Sequence, residues 1–243
     1  MTTARELGLA LAAQAALLAA LRPGPPGWAA GAVFAALAWS VLTAAFRHRR
    51  VLGPADHVTL VRVVLVGGVT ALVAGHLATG GGPVAVLVAT AAAALVLDGV
   101  DGRVARRTGT ASEAGARFDM EVDAFLILVL SVQVAASAGP WVLAIGGMRY
   151  AFAAASWTAP WLRAPLPDSL ARKTVAVVQG VVLAVAAAEV VPHAELAVAA
   201  ALGLLAWSFG RDIVWLAALR RGNPQGRRAD GARRPRVLDP VTR

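Results

Sequence analysis

Long apolar stretches separated by short polar segments dominate this chain of 243 residues. Most stretches contain close to twenty residues, the length of an α-helix that crosses a bilayer. Their alanine, valine and glycine content suits close packing between helices. The pattern therefore predicts an all-α fold, a polytopic helical bundle in a membrane. Helices are expected at about residues 6–22, 28–46, 58–76, 83–98, 120–137, 140–161, 173–191 and 196–217.

The basic residues indicate how such a bundle is oriented. Arginines collect in alternate polar segments, at 47–50, 103–117 and 163–173 and in the tail, whereas the opposite loops contain Arg22 as their only arginine or lysine. Because basic loops stay on the cytoplasmic side, these segments and the C-terminus are expected in the cytoplasm, with the protein in the cell membrane. The same orientation explains the net charge of +9, so nucleic-acid binding is not expected. The absence of cysteine excludes disulfides and thiol catalysis.

One polar segment, residues 98–123, interrupts the apolar pattern with four aspartates. Asp98 and Asp101 are three residues apart and Asp119 and Asp123 are four apart, so each pair shares one helix face. Two antiparallel helices would bring the pairs together as a four-carboxylate cage. Hard oxygen ligands suit Mg²⁺ or Mn²⁺, and bound divalent ions would keep the four acids ionised. The sequence therefore predicts a metal site formed by these four aspartates.

Small residues and arginines alternate with these acids. Gly102, Ala105 and Gly115 would allow a bulky ligand to approach the backbone closely. Arg106 and its neighbours add cationic donors beside the carboxylates. Metal-binding acids next to arginines and glycines suit a diphosphate, because metal and guanidinium both neutralise phosphoryl oxygens. A nucleotide diphosphate is the expected ligand.

The acidic segment resembles the signature of the class I CDP-alcohol phosphatidyltransferases, D-x2-D-G-x2-A-R-x8-G-x3-D-x3-D. All eight fixed positions are matched between Asp98 and Asp123. Helix-capping aspartates would explain one or two of these positions, but not the complete spacing. Upstream, Asp56, Thr59 and Arg62 are similar to the family's Asn-x-x-Thr-x-x-Arg element, with Asp56 in place of the asparagine. Asp56 is equally suited to cap a helix.

The resemblance implies a fold and a reaction. The expected six-helix core occupies residues 54–220, preceded by two additional helices within residues 1–53 and followed by a disordered, arginine-rich tail at 221–243. The implied reaction transfers the phosphatidyl group of CDP-diacylglycerol to a polar alcohol and releases CMP, in phospholipid biosynthesis. Two Mg²⁺ or Mn²⁺ ions would be the cofactors, and a homodimer would be the assembly.

The resemblance also implies roles for individual side chains. Asp123 would serve both as a metal ligand and as the general base toward the acceptor hydroxyl. Arg149 has no acidic residue in its own apolar stretch, so it is expected to face the inside of the bundle and contact an anion or a distant acid. Arg149 and Lys173, the only lysine, are candidates for binding the acceptor. Nucleotide and diphosphate contacts would come from Thr59, Arg62, Gly102, Ala105, Arg106 and Gly115.

Several alternatives remain open at the level of sequence. The same family chemistry could use a CDP-alcohol donor and a diacylglycerol acceptor, and the acceptor alcohol itself is not specified. The acids could line the path of a cation transporter, although they cluster at one boundary and no repeat is visible. Residues 1–27 also resemble a signal peptide, with Arg5, an apolar run and a Pro-Gly-rich exit. Glu6 interrupts the basic segment and favours a retained helix.

Overall fold

A computed structural model describes residues 3–46, 53–108, 113–167 and 169–222, although the side chains of some residues near helix ends, including 100–108, lie outside this description. The described residues form α-helices and two short 3₁₀ segments and contain no strand, which confirms the predicted all-α bundle. The predicted tail and the basic loop at 47–50 lie almost wholly outside the described residues. The helices are α1 (Thr3–Leu21), α2 (Gly24–Phe46), α3 (Pro54–Thr79), α4 (Val84–Thr108), α5 (Glu113–Ala138), α6 (Leu143–Thr158), α7 (Leu170–Ala187) and α8 (Ala194–Gly222).

Five of the described helices contain a segment long and apolar enough to cross a membrane. α4 contributes a shorter apolar section, Val84–Gly99. Many large apolar side chains on these helices are exposed in the isolated chain, as expected for surfaces that contact lipid. The protein is therefore an integral membrane protein. The spanning segments are Gly24–Ala44, Asp56–Thr79, Phe118–Ala138, Leu170–Ala187 and Ala194–Arg221.

All eight predicted helices are present, but α4 and α5 extend well beyond their predicted ends, and the stretch around α6 is divided. α4 continues to Thr108 instead of ending near residue 98, and α5 begins at Glu113 instead of near residue 120. These extensions contain four arginines and three alanines, which favour helix, and few large apolar residues. The stretch predicted at 140–161 is divided, because Pro140 and Pro160 each begin a 3₁₀ segment on either side of α6.

α3 lies at the centre of the bundle and contacts α1, α2, α4 and α5. Glycines on α3 allow this close packing: a Cβ at Gly67 would lie 2.5 Å from the side chain of Gln14, and one at Gly75 would lie 2.3 Å from the carbonyl oxygen of Pro23. Gln14 contacts Gly67 and the later residue Pro23 contacts the later residue Gly75, so both segments advance in the same direction. α1 therefore runs parallel to α3, and both begin at the same end of the bundle.

α7 packs across α4 and α5 in a similar way. A Cβ at Gly180 would lie 2.8 Å from Leu95 and 3.4 Å from Ile127, near the middle of each neighbouring helix. Contacts of Gly146 with Leu128 and of Arg149 with Glu121 show that α6 runs antiparallel to α5, so the chain returns to the end where α5 begins, and α7 begins there. Arg62, near the start of α3, contacts Asp98 on α4 and Asp119 on α5, so α3 also begins and α4 ends at this end. We call this the acidic end, because it includes both halves of the aspartate segment.

Candidate active site

The guanidinium of Arg62 joins three helices at the acidic end. Arg62 lies on α3 and is only 1% exposed. Its Nη1 donates to Asp119 and its Nη2 to Asp123, both on α5. The same Nη2 lies 3.1 Å from Oδ1 of Asp98 on α4. We call these four residues the Arg62 cluster, and its single cation links the helices that carry the two halves of the acidic segment.

The start of α3 is fixed by its own residues. Gly53 is the N-cap, and its N–H donates to Oδ2 of Asp56 at 2.8 Å. Asp56 therefore occupies the N3 position and bonds back to the cap, and it is not the N-cap that the sequence suggested. Asp56, Thr59 and Arg62 follow at intervals of three, so they share one face, and all three are buried.

The charge balance of the Arg62 cluster favours a divalent cation. Oxygens of Asp98, Asp119 and Asp123 lie within 4.8 Å of one another. Three ionised carboxylates facing one guanidinium leave an excess of two negative charges. Their side chains are 34%, 27% and 38% exposed, so an ion can reach them from water. An all-oxygen donor set of this kind suits Mg²⁺ or Mn²⁺, and these three residues could hold such an ion.

The structure brings together three of the four predicted metal ligands. Asp101 lies on α4, three residues beyond Asp98, but its side chain lies outside the described residues and its role as a ligand remains a prediction. Of the residues predicted to contact the nucleotide, some are described by the structure and others are not. Thr59 is buried and Gly115 is half-buried in the first turn of α5, whereas Gly102, Ala105 and Arg106 lie on α4 outside the described side chains.

Arg149 contacts a distant acid, as predicted, but its side chain is 40% exposed, so it does not face the inside of the bundle as the sequence suggested. Its Nη2 donates to Glu121, which lies on α5 between Asp119 and Asp123 but on an exposed part of the helix. Glu121 is two residues from each of these aspartates, a spacing that places it on a different face. The other acceptor candidate, Lys173, is exposed in the first turn of α7.

A second charged cluster lies where α7 begins, and it has the opposite charge balance. Asp212 on α8 accepts from Arg172 on α7 and from its neighbour Arg211, each at 3.3 Å. Arg211 also lies 3.4 Å from the hydroxyl of Ser169, the N-cap of α7. We call Asp212, Arg172 and Arg211 the Asp212 cluster. Arg211 and Asp212 are neighbours in sequence, whereas the contact between Arg172 and Asp212 joins α7 to α8.

These features define an integral membrane protein with a carboxylate site at one end of its helical bundle. The family model described as CDP-alcohol phosphatidyltransferase matches residues 52–210, well over half of the chain. The protein belongs to this family of transferases, which act on CDP-alcohols in lipid biosynthesis. No curated protein and no solved structure matches the chain in the corresponding comparisons. α1 and α2 lie outside the matched residues.

Proposed function

We propose that this protein transfers the phosphatidyl group of CDP-diacylglycerol to a polar alcohol and releases CMP. The observation that carries the proposal is the Arg62 cluster, in which three carboxylates from two helices surround one buried guanidinium within the residues matched by the family. This arrangement suits a substrate whose diphosphate binds together with divalent metal. The family membership supplies the reaction class, and the acidic residues supply the chemistry.

The metal ligands in this proposal are Asp98, Asp119 and Asp123, with Asp101 as a fourth. Two Mg²⁺ or Mn²⁺ ions, when bound, would neutralise the diphosphate oxygens and the charge that develops on the departing CMP. Arg62 holds the three described carboxylates at a fixed separation, and its charge offsets part of their mutual repulsion. Because Arg62 is buried and bonded to two helices, it keeps this arrangement before substrate arrives.

Asp123 is the proposed general base. Its contact with Arg62 uses Oδ1, so Oδ2 is the acceptor for the hydroxyl proton of the alcohol. The deprotonated oxygen forms a bond to the β-phosphorus of the donor, and the bond from that phosphorus to the CMP oxygen breaks. The electron pair of the broken bond leaves with CMP, and the proton stays on Asp123.

The remaining predicted contacts position the donor. Thr59 and Gly115, with Gly102, Ala105 and Arg106, are proposed to contact the nucleotide and its diphosphate, and Arg149 and Lys173 are proposed to contact the acceptor. The acidic end would face the cytoplasm at the cell membrane, where a water-soluble alcohol and a lipid donor can both reach it. A homodimer is the proposed assembly.

The reverse use of partners is the second candidate within the family. A CDP-alcohol donor and a diacylglycerol acceptor would need the same metal ligands, so the Arg62 cluster is compatible with both directions. The basic residues Arg149 and Lys173 favour a polar or anionic acceptor, and hence the lipid donor. A cation transporter is disfavoured by membership of a transferase family.

CMP release tests the proposal directly. The purified protein in lipid is supplied with CDP-diacylglycerol, Mg²⁺ or Mn²⁺ and a panel of alcohols, beside Asp123→Asn. Metal-dependent release with one alcohol is expected, and Asp123→Asn should reduce it about 100-fold or more, the usual contribution of a general base. Asp212→Asn is the matched control, because it makes the same substitution at the same end but outside the Arg62 cluster.

The possible negative results separate the candidates. Release with CDP-alcohols and diacylglycerol, but not with CDP-diacylglycerol, would reverse the roles of donor and acceptor. If Asp123→Asn and Asp212→Asn reduce CMP release equally, Asp123 is not the general base. No CMP release from either class of donor would contradict the transferase proposal as a whole.

A further inference from the structure

Glu6 on α1 contacts the first turn of α3, where His57 lies. Oε1 of Glu6 is 3.5 Å from Nε2 of His57, and the glutamate side chain is only 10% exposed. The other ring nitrogen of His57, Nδ1, lies 2.9 Å from the carbonyl oxygen of Gly53. A carbonyl oxygen only accepts, so this hydrogen bond is donated by Nδ1, and Nε2 is the ring nitrogen that faces the carboxylate of Glu6. His57 thus connects α1 to the N-cap of α3.

The contact at Glu6 is the first of several along the whole length of α1. Gln14 is 5% exposed and packs against Gly67, and Leu17 packs against Gly68. Just after α1, the backbone of Pro23 packs against Gly75. These contacts give α1 a defined position against the helix that carries Arg62, although α1 lies outside the residues that the family matches.

The Glu6–His57 contact lies close to the Arg62 cluster. His57 precedes Arg62 by five residues, which is about 7.5 Å along a helix axis. Between them, Thr59 is buried on the same face as Arg62. A rotation or axial shift of the first turns of α3 would therefore move the guanidinium relative to Asp98, Asp119 and Asp123.

We propose that Glu6 is a positioning residue: through His57, α1 holds the start of α3 and so sets the place of Arg62 among the three carboxylates. This role requires that α1 is part of the folded protein in the membrane. The kinetic consequence rests on the proposed function, because Arg62 is proposed to hold the three carboxylates that bind metal together with the diphosphate of the donor. The structural consequence, a more mobile start of α3 when the contact is lost, does not.

Hydrogen exchange and donor kinetics of Glu6→Gln test this proposal in the full chain in lipid. Glu6→Gln keeps the size of the side chain and removes its charge. We expect amide exchange in residues 53–62 to become about threefold faster or more, and the KM for CDP-diacylglycerol to rise by a similar factor while the KM for the acceptor is unchanged. A smaller fraction of folded protein would lower the maximal rate but would not change either KM, so the KM comparison separates positioning from simple loss of stability.

The matched control is the second histidine–glutamate pair, His193–Glu195, at 3.4 Å near the start of α8 and at the opposite end of the bundle. Glu195→Gln should change neither exchange at residues 53–62 nor the KM for the donor. His57→Gln removes the contact from the other side and should reproduce the effect of Glu6→Gln. The double variant should be no more impaired than either single variant, because both act through one contact.

Each contrary result overturns a defined part of the proposal. If amide exchange at residues 53–62 is unchanged in Glu6→Gln, the contact between Glu6 and His57 does not restrain the start of α3. Faster exchange with an unchanged KM for the donor would remove the positioning role. An intact mass showing that the chain in the membrane begins after residue 27 would exclude both the restraint on α3 and the positioning role of Glu6. A wild-type protein without CMP release would contradict the proposed function, while the exchange comparison would still test the restraint.

Discussion

The Arg62 cluster and the Asp212 cluster lie at the same end of the bundle and are built from the same two residue types. In the Arg62 cluster one guanidinium faces three carboxylates, and in the Asp212 cluster one carboxylate faces two guanidiniums. In both clusters the single residue of opposite charge is more buried than its partners: the side chain of Arg62 is 1% exposed, and that of Asp212 is 12% exposed. The surrounding groups of opposite sign make burial of that charge tolerable.

The difference lies in the charge that remains after this pairing. The Arg62 cluster keeps two negative charges on groups that water can reach, which is the requirement for binding a divalent cation. The Asp212 cluster keeps one positive charge on arginines that are partly exposed, and water can solvate that charge. The same pair of residue types therefore produces a candidate metal site in one place and a contact between helices in the other.

The largest effect is expected from removing the cation of the Arg62 cluster. Arg62→Leu would leave three carboxylates without their buried partner, and breaking a buried ion pair typically costs about 3–5 kcal/mol. We expect a large fall in melting temperature in the presence of a chelator and loss of CMP release. Mg²⁺ or Mn²⁺ should raise the melting temperature of the variant more than that of the wild type, because the metal would then replace the missing cation.

Arg211→Leu is the control for this prediction. It removes a partly exposed arginine from a cluster that retains Arg172 beside Asp212, so a smaller loss of stability and no change in the response to metal are expected. An equal response of both variants to metal would mean that the two clusters do not differ in their affinity for cations, and the comparison would fail.

The second prediction concerns metal affinity itself. Asp119→Asn removes one of the three carboxylates and should weaken binding of Mn²⁺ by about 10-fold or more. Loss of a residue that only hydrogen-bonds to a metal ligand already weakens metal binding about 10–100-fold. Titration of the purified protein with Mn²⁺ measures this without substrate or activity. Asp212→Asn should bind Mn²⁺ as the wild type does. If Asp119→Asn also keeps the wild-type affinity, the three clustered carboxylates do not form the metal site.

A third, smaller effect is expected from the Asp212 cluster. Asp212→Asn leaves two arginines beside a neutral side chain, and loss of a buried charge partner of this kind costs about 1–3 kcal/mol. We expect a lower melting temperature but CMP release within about threefold of the wild type per folded molecule. A large loss of activity at unchanged stability would instead place Asp212 in the reaction.

Much of the fold followed from apolar length, because a chain that must satisfy its backbone groups within lipid has few choices besides helix. All eight predicted helices are present. The apolar pattern did not predict the full polar ends of α4 and α5, since residues 99–108 and 113–119 contain arginines and glycines and carry little apolar signal. The interruptions beside α6 could have been predicted from Pro140 and Pro160.

The site was predictable as far as local spacing determines it. The spacing of Asp119 and Asp123 indicated one shared face, and the structure places both against Arg62. The central place of Arg62 was not foreseen, since it depends on how α3 packs between α4 and α5. The contact between Arg172 and Asp212 joins residues 40 positions apart, so no local pattern could reveal it.

The smallest effect is expected from the exposed pair of Arg149 and Glu121, which has one charge of each sign. Exposed ion pairs contribute about 0–1 kcal/mol, so neither Arg149→Gln nor Glu121→Gln should change the melting temperature appreciably. Their effects on the acceptor should differ. Arg149→Gln should raise the KM for an anionic acceptor several-fold, about 1 kcal/mol of lost charge-assisted hydrogen bonding, without changing the KM for the donor.

Glu121→Gln breaks the same ion pair but leaves the cation in place, so it distinguishes binding by Arg149 from the effect of the pair. If Arg149 binds the acceptor, its release from Glu121 should leave the KM for the acceptor unchanged or lower it. If both variants raise that KM equally, the pair acts by fixing α6 against α5, and Arg149 does not contact the acceptor. The acidic end would then contain one candidate ion-binding cluster and two contacts between helices.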